Sequence, residues 1–168
     1  MGRTLIIIKP HAVQRALSGE ILARFERIGL RITAIKVVRE TPEFWQRFYP
    51  SDESWYENVG SKTLGDYLQS GIDVQERLDT SDAAAIGRMV KQWVVDHMSS
   101  AESIAAVLEG NEAPQKVRAA CGATLPNAAV PGTIRFDFSM DSPTLANEEK
   151  RPVYNLIHAS DPTESRDG

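Results

Sequence analysis

The run TLIIIK, residues 4–9, decides the fold of this 168-residue chain. Leu5 is followed by three consecutive isoleucines, and such a run predicts a strand that is buried at the centre of a sheet. The segment SGEILARFERIGL (18–30) then places apolar residues at helical spacing, with Gly29 in the position of a helix C-cap. A buried strand followed by an amphipathic helix indicates a domain in which helices cover a sheet.

The remaining apolar segments predict three further strands, at RITAIKVVRE (31–40), ESIAAVLEG (102–110) and VYNLIHAS (153–160). Further helices are predicted at 41–49, 62–71, 81–98 and 113–122, whereas 50–62, 123–133 and 140–152 have the composition of loops. The segment IRFDFS (134–139) alternates apolar and polar residues, which predicts a short strand or an extended segment.

This order of elements predicts an α+β fold. The expected architecture is a ferredoxin-like sandwich, in which a four-stranded antiparallel sheet has helices packed on it. A flavodoxin-like parallel sheet is the alternative, and it would require a fifth strand and longer crossover helices.

The amino-acid composition limits the classes of function that the chain can have. The apolar fraction of 42% and the charged fraction of 25% are those of a globular domain, and a net charge of −4 argues against a surface built for nucleic acid. The single cysteine, Cys121, has no partner for an internal disulfide, and this fits a reducing compartment such as the cytoplasm. No apolar run is long enough to span a membrane, and the first residues lack the pattern of a signal peptide.

Several residues near the predicted strand ends are suited to handling phosphate, which needs cations and donors converging from different elements. They are Lys9, Arg118, Thr124, Arg135, Asn155 and His158. Each has an ordinary interpretation when taken singly: a hydrated lysine, surface-paired arginines, or a histidine that caps a strand. Histidine also titrates near neutral pH and serves as base, nucleophile or ligand.

Four segments occur in a characteristic order: IIIKPHAVQRALSGEIL, AVLEG, RAACGATLPNAAVPGTIRFDF and YNLIHASD. Together they resemble the signature segments of the nucleoside diphosphate kinase family, which are a KPD-type strand end, a WEG-type strand, an R-x-x-x-G-x-T-x-P loop, PGTIR and NIIHGSD. The resemblance extends from residue 3 to about 49 and from about 101 to 165. PGTIR followed by N-x-x-H-x-S-D is its most specific part.

The resemblance implies a role for each matching residue. His158 matches the family's nucleophile, which accepts the γ-phosphoryl group of a nucleoside triphosphate and passes it to a nucleoside diphosphate in a ping-pong reaction. The other matches are Arg118, Thr124 and Arg135 for the phosphates, Tyr49 near the transferred group, Lys9 and Asn155 for ribose hydroxyls and phosphate, and Ser160 beneath the histidine.

The resemblance also implies cofactor and partners. It implies Mg²⁺ held mainly by the nucleotide phosphates, with no protein metal site. It further implies ATP and other nucleoside tri- and diphosphates as substrates, and a homo-oligomer. Trp55 or Tyr56 is the candidate for stacking on the base, and stacking tolerates every base.

The sequence departs from the family pattern at single positions. His11 replaces the acid of KPD, and we interpret it as a surface turn residue. Phe136 replaces a glycine directly after Arg135, which changes what packs near that loop and bears on the subunit contacts.

Two insertions lengthen the chain, at about 57–100 and at 140–153. We expect a single domain over 1–168, in which the helical insertion at 57–100 covers or reshapes the nucleobase side of the site. The family's glutamate that orients the histidine would fall just after Gly168, and Glu164 is a nearer substitute. Orienting groups of this kind matter by about 10–100-fold in analogous histidine sites, so activity is expected to be weakened.

Two other functions compete with the kinase. One is a nucleotide-binding homologue with little turnover that acts as a regulator or interaction module. The other is a partner-binding module, which would require an exposed apolar stripe at Ile86, Val90 and Trp93.

Overall fold

The computed structural model describes residues 1–160, which fall into two compact units. The sheet unit contains residues 1–39, 101–141 and 154–160, and the helical unit contains 40–100 and 142–153. The expectation of a single domain over 1–168 stays a prediction. Glu164 lies outside the described residues.

The sheet unit is built on four strands, β1 (Gly2–Ile8), β2 (Arg31–Val38), β3 (Ser103–Gly110) and β4 (Ile157–Ala159). Their order across the sheet is β2-β3-β1-β4, and every neighbouring pair is antiparallel. This confirms the ferredoxin-like prediction and excludes the flavodoxin-like alternative. Ile6, Ile7 and Ile8 are all buried, as expected for the central run.

Some of the helices belong to the sheet unit and the others form the helical unit. The helices are α1 (Pro10–Gln14), α2 (Ser18–Arg27), α3 (Pro42–Phe48), α4 (Glu53–Gln69), α5 (Val74–Leu78), α6 (Ala83–Ser100), α7 (Ala113–Cys121), α8 (Ile134–Phe138) and α9 (Pro143–Glu148), with a 3₁₀ turn at Pro126–Ala128. In the sheet unit, Phe25 of α2, Val117 of α7 and Ile134 of α8 pack with β1 in one apolar core.

Within the segment 134–139, Ile134–Phe138 are helical, so the prediction of a strand or extended segment there was wrong. The alternating apolar residues do not share a buried face: Ile134 is buried, whereas Phe136 is 47% exposed. Hydrogen bonds to residues outside α8 hold this helix in place instead. The carboxylate of Asp137 accepts the Gly132 N–H at 3.0 Å and a bond from Arg24 at 2.7 Å.

The helical unit contains α4, which begins inside the segment that was predicted as loop. Asp52 caps it by accepting the Trp55 N–H at 2.9 Å. Only Gly60, Thr63 and Tyr67 of α4 are buried, and two of these are not apolar, so the helical period was weak in the sequence. Helix α9, also predicted as loop, begins after Ser142, whose hydroxyl accepts the Leu145 N–H.

Helices α4 and α6 pack with their main chains in close contact. A Cβ atom on Gly60 would lie 1.7 Å from the Ala83 carbonyl oxygen, and one on Gly87 would lie 2.0 Å from the Tyr56 carbonyl oxygen. Each helix therefore supplies a glycine that accepts the backbone of the other. We call this reciprocal contact the glycine seam.

The apolar stripe on α6 does not form a docking surface. Ile86 is fully buried with Tyr67, Val74 and Leu78, while Val90 and Trp93 pack against that cluster. The stripe is part of the core of the helical unit, so the partner-binding prediction that required its exposure was wrong. No helix within residues 1–160 combines the length and the apolar character needed to cross a membrane.

Candidate active site

Strand β4 carries His158 opposite Ile7 of β1, and the chain enters this strand through a tight turn. The Ile157 N–H donates to the Asn155 carbonyl at 2.9 Å, which closes a γ-turn with Leu156 at its centre. Leu156 has a φ of +72°, a conformation that costs a residue with a side chain roughly 1–3 kcal/mol. This strain explains why the predicted strand of 153–160 shortens to three residues, and strain of this kind concentrates at functional sites.

His158 lies among positive charges. Its pKa is lowered to about 4, first by the loss of hydration on burial and then by the charges of Lys9, Arg135 and Arg118. The fold has thus brought three of the predicted phosphate-handling cations near the histidine, although Lys9 directly follows β1 while Arg135 lies in α8 and Arg118 in α7. At neutral pH the imidazole is uncharged, and this is the nucleophilic form of the ring.

Lys9 and Asn155 form a chain of contacts to the loop that follows α7. The Lys9 ammonium donates to the Asn155 side-chain oxygen at 2.7 Å, and the Asn155 amide nitrogen donates to the Thr124 carbonyl at 3.0 Å. Burial and the nearby Arg135 charge lower the pKa of Lys9 to about 7. These three predicted residues therefore lie in one hydrogen-bonded group.

Arg135 is buried, and its guanidinium donates hydrogen bonds to backbone carbonyls of the site. It donates to the carbonyls of Asn155 at 3.1 Å, Gly122 at 2.9 Å and Ile157 at 2.7 Å. A guanidinium has five N–H donors, so two remain beyond these three bonds. Arg135 thus joins the end of α7 to both sides of the γ-turn.

Arg118 lies exposed on the last turns of α7, which ends at Gly122. Gly122 has a φ of +81°, and a Cβ there would lie 2.5 Å from the Thr133 hydroxyl oxygen, so only glycine fits. Ser160 is buried, and its backbone N–H donates to the Leu5 carbonyl at 3.1 Å, which fixes the far end of β4.

Three predicted site residues, Tyr49, Trp55 and Tyr56, belong to the helical unit. Burial raises the pKa of Tyr49, whose ring lies 5.1 Å from that of Phe48. The Trp55 and Tyr56 rings lie edge to face at 5.7 Å, and the Arg88 guanidinium lies 5.0 Å from the Tyr56 ring centre. Their contacts with a nucleotide stay predictions.

His11 is not the surface turn residue that we expected. It is only 6% exposed in α1, and its Nε2 atom accepts the Leu156 N–H at 2.8 Å. Its ring stacks on that of Tyr154 with 4.6 Å between the centroids. The only sequence signal for this role is the departure itself, a histidine where the family has an acid, because both side chains can accept a hydrogen bond.

Lys91 of α6 is a second residue that sequence reasoning missed. It is 2% exposed, and its ammonium donates to the carbonyls of Gln46 at 3.0 Å and Tyr49 at 3.3 Å and to the Ser51 hydroxyl. It therefore satisfies carbonyls at the end of α3, where helices leave acceptors unbonded. A signal was present, since the buried positions 84, 87, 91, 95 and 98 follow helical spacing.

The donor set of the site suits an anion. Within residues 1–160, no group of three His, Cys, Asp or Glu side chains is placed to hold a metal ion. The groups near His158 are instead the cations of Lys9, Arg118 and Arg135. A neutral imidazole among converging cations can attack an electrophile that carries negative charge, and a phosphate ester is such an electrophile.

Comparison with known proteins agrees with this chemistry. The family model described as nucleoside diphosphate kinase matches residues 2–88 and 75–167. A nucleoside diphosphate kinase of Pyrobaculum aerophilum is 49% identical over 159 residues, which are 95% of this chain and 87% of the relative.

Solved structures give the same result. The crystal structure of an NDP kinase from Pyrobaculum aerophilum matches with a TM-score of 0.94 and 47% identity, over 98% of this chain and 91% of the other. A nucleoside-diphosphate kinase from Borrelia burgdorferi, described as a transition-state mimic with bound vanadate and ADP, matches with a TM-score of 0.67 and 31% identity. That match covers 97% of this chain and 81% of the other.

Proposed function

This chain belongs to the nucleoside diphosphate kinase family, and we propose that it transfers the phosphoryl group through His158. It is a phosphotransferase that acts on nucleotides. The observation that carries the proposal for His158 is its electrostatic setting: an imidazole held neutral by burial and by three neighbouring cations at the end of a strained turn.

The reaction has two symmetrical halves. A ring nitrogen of His158 forms a bond to the γ-phosphorus of a nucleoside triphosphate as the bond from that phosphorus to the bridging oxygen breaks. The nucleoside diphosphate leaves with the bonding electrons. A terminal phosphate oxygen of a second nucleoside diphosphate then attacks phosphohistidine and releases the neutral ring.

The cations act on the charge that moves in these steps. Arg118 and Lys9 are proposed to neutralise phosphate oxygens, while Arg135 uses its two remaining N–H groups on the same oxygens. Thr124 is proposed to add a hydroxyl contact, and Asn155 to bind a ribose hydroxyl or a phosphate. Hydrogen bonds hold the side chains of Lys9, Arg135 and Asn155 before the substrate arrives, so these three need little reorganisation in the transition state.

We propose that Mg²⁺ enters with the nucleotide. The donor set near His158 is cationic, so it suits the phosphates of a metal–nucleotide complex and not a protein-bound ion. The ion, when bound, neutralises part of the phosphate charge. Tyr49 is proposed to lie near the transferred phosphate, with Trp55 or Tyr56 stacking on the base.

A homo-oligomer is proposed from the edge of the sheet. Strand β2 is one of the two edge strands, and it exposes Ile35 by 55% and Val37 by 62%. Exposed apolar edge strands tend to pair with another chain. A cytoplasmic location is also proposed, because the chain's single cysteine, Cys121, is a buried thiol and so fits a reducing compartment.

The test is to mix the purified protein with γ-labelled ATP and Mg²⁺, quench the reaction, and look for label that is acid-labile and base-stable. His158→Ala is the matched control, and GDP is added afterwards as a chase. We expect label that requires His158 and then leaves on the diphosphate. Tight nucleotide binding without any label would instead favour the regulator with little turnover.

A further inference from the structure

The residue that replaces the family's acid, His11, is bonded to the strained turn before the nucleophile. The Leu156 N–H that it accepts belongs to a residue that is fully buried, so no water can replace the imidazole as acceptor. Leu156 is the centre of the γ-turn and stands two positions before His158. The contact joins residues that are 145 positions apart in the chain.

His11 is itself held firmly. Its ring stacks on Tyr154, with an angle of 21° between the ring planes. The main chain of Tyr154 is bonded on both sides, because its N–H donates to the Asp141 carboxylate at 2.6 Å and its carbonyl accepts the Ser139 hydroxyl at 2.7 Å. A ring fixed in this way presents Nε2 to Leu156 in a single direction.

We propose that His11 is a positioning residue, which holds Leu156 in its left-handed conformation and thereby sets the direction in which His158 leaves the sheet. Without an acceptor, the buried Leu156 N–H would be stable only after the γ-turn had relaxed. Relaxation of that turn rotates the peptide that leads into β4, and the His158 ring moves with it. The consequence for catalysis rests on the proposed role of His158.

The proposal also fixes the protonation state of His11. Nε2 can accept a hydrogen bond only when it carries no proton, so the ring must be neutral with its proton on Nδ1. Acidification that protonates the imidazole turns the acceptor into a donor that faces the Leu156 N–H. The titratable and charged groups on the elements that meet here are Lys9, Arg15, Asp141, Tyr154 and His158.

Two substitutions separate the acceptor from the stacked ring. His11→Gln places an amide oxygen about where Nε2 lies and does not titrate, but it lacks the ring. His11→Phe keeps a ring on Tyr154 and has no acceptor. We expect the rate of His158 labelling by γ-labelled ATP to fall by about 10–100-fold in His11→Phe and by less than about threefold in His11→Gln. The affinity for ADP should stay within about twofold in both.

A second measurement does not depend on turnover. The Leu156 amide is followed by NMR in protein labelled with ¹⁵N-leucine, from about pH 8 to about pH 5. In the wild type its chemical shift should include a pH-dependent step from the protonation of His11, and that step should be absent in His11→Gln. Titration of Asp141 or of the other neighbours would affect both proteins alike.

Each result decides the proposal. Wild-type labelling in folded His11→Phe, equal losses in both variants, or the same pH dependence of the Leu156 amide in wild type and His11→Gln would each overturn it. If His11→Phe does not fold, wild type and His11→Gln decide it, because acidification should lower the labelling of the wild type more than that of His11→Gln. Absence of label in the wild type would refute the proposed function, and the NMR comparison would still test the positioning.

Discussion

The sheet unit and the helical unit differ in the kind of contact that holds the backbone in place. In the sheet unit, polar side chains hold the backbone of the site: Arg135 bonds to three carbonyls, and His11 bonds to the N–H of Leu156. In the helical unit, the closest contact is the glycine seam, where main chain meets main chain. A lost side chain should therefore disturb geometry in the first unit, whereas an added atom should do so in the second.

The largest effect is expected from removing the Arg135 guanidinium. Arg135→Met would leave three carbonyls without their charged donor, and hydrogen bonds to charged groups are worth about 1.5–3 kcal/mol each. We expect the free energy of unfolding of the sheet unit to fall by about 5 kcal/mol, near the lower end of that sum. Hydrogen exchange of peptides from β1 and β4 in increasing urea would measure this, and phosphotransfer activity should be lost with it.

Arg135→Lys is the control for charge. Lysine keeps the positive charge but donates from a single point, so it cannot reach three carbonyls that lie on different sides of a planar fork. We expect it to recover only a small part of the stability. Full recovery with lysine would mean that charge near His158, and not the fixed fork of donors, stabilises the site.

The next largest effect tests the glycine seam. In Gly60→Ala the new methyl group would lie 1.7 Å from the Ala83 carbonyl oxygen, so α4 and α6 must move apart. Overpacking of this kind costs about 3 kcal/mol. The matched control is Gly65→Ala in the same helix, where nothing lies within 4 Å of the new atom. That substitution should stabilise α4 by about 0.5–1 kcal/mol, because alanine is the better helix former.

Urea unfolding followed by tryptophan fluorescence reports on this unit alone, since Trp45, Trp55 and Trp93 all lie in it. Equal midpoints for the two alanine variants would show that the helices are not in contact at Gly60. A loss in Gly60→Ala that leaves the labelling of His158 intact would show, in addition, that the two units respond separately.

Whether an element could be predicted from the sequence depends on what holds it in place. The buried run of β1 and the periods of α2 and α7 are local patterns, so periodicity predicted them. The first half of α4 was missed because its buried residue is Gly60, which gives no apolar period, and α8 was missed because a distant arginine holds it in place.

In the site, motif resemblance supplied the residues but not their partners. The bond from Lys9 to Asn155 spans 146 positions and that from His11 to Leu156 spans 145, so no local pattern encodes either contact. A positive φ at a leucine is set by such tertiary bonds and not by the propensity of the residue.

The smallest expected effect is a proton that accompanies nucleotide binding. Burial and Arg135 lower the pKa of Lys9 to about 7, so much of its charge is lost by pH 8. The phosphates of ADP would restore that charge and raise the pKa of Lys9 again. We expect the binding of ADP at pH 8 to take up about one proton per site. Titration calorimetry in buffers of different ionisation enthalpy measures this uptake.

The direction in which the ADP affinity changes with pH follows from the linkage between proton binding and ADP binding. Because the complex binds more protons than the unliganded protein, the affinity for ADP should fall by up to about tenfold per pH unit as the pH rises above 7. His158 does not contribute, since its pKa of about 4 keeps it neutral throughout this range in the unliganded protein. Lys9→Met should bind ADP more weakly and without proton uptake. If Lys9→Met kept the same dependence on pH, another group would take up the proton, and the ammonium of Lys9 would not be what meets the phosphates.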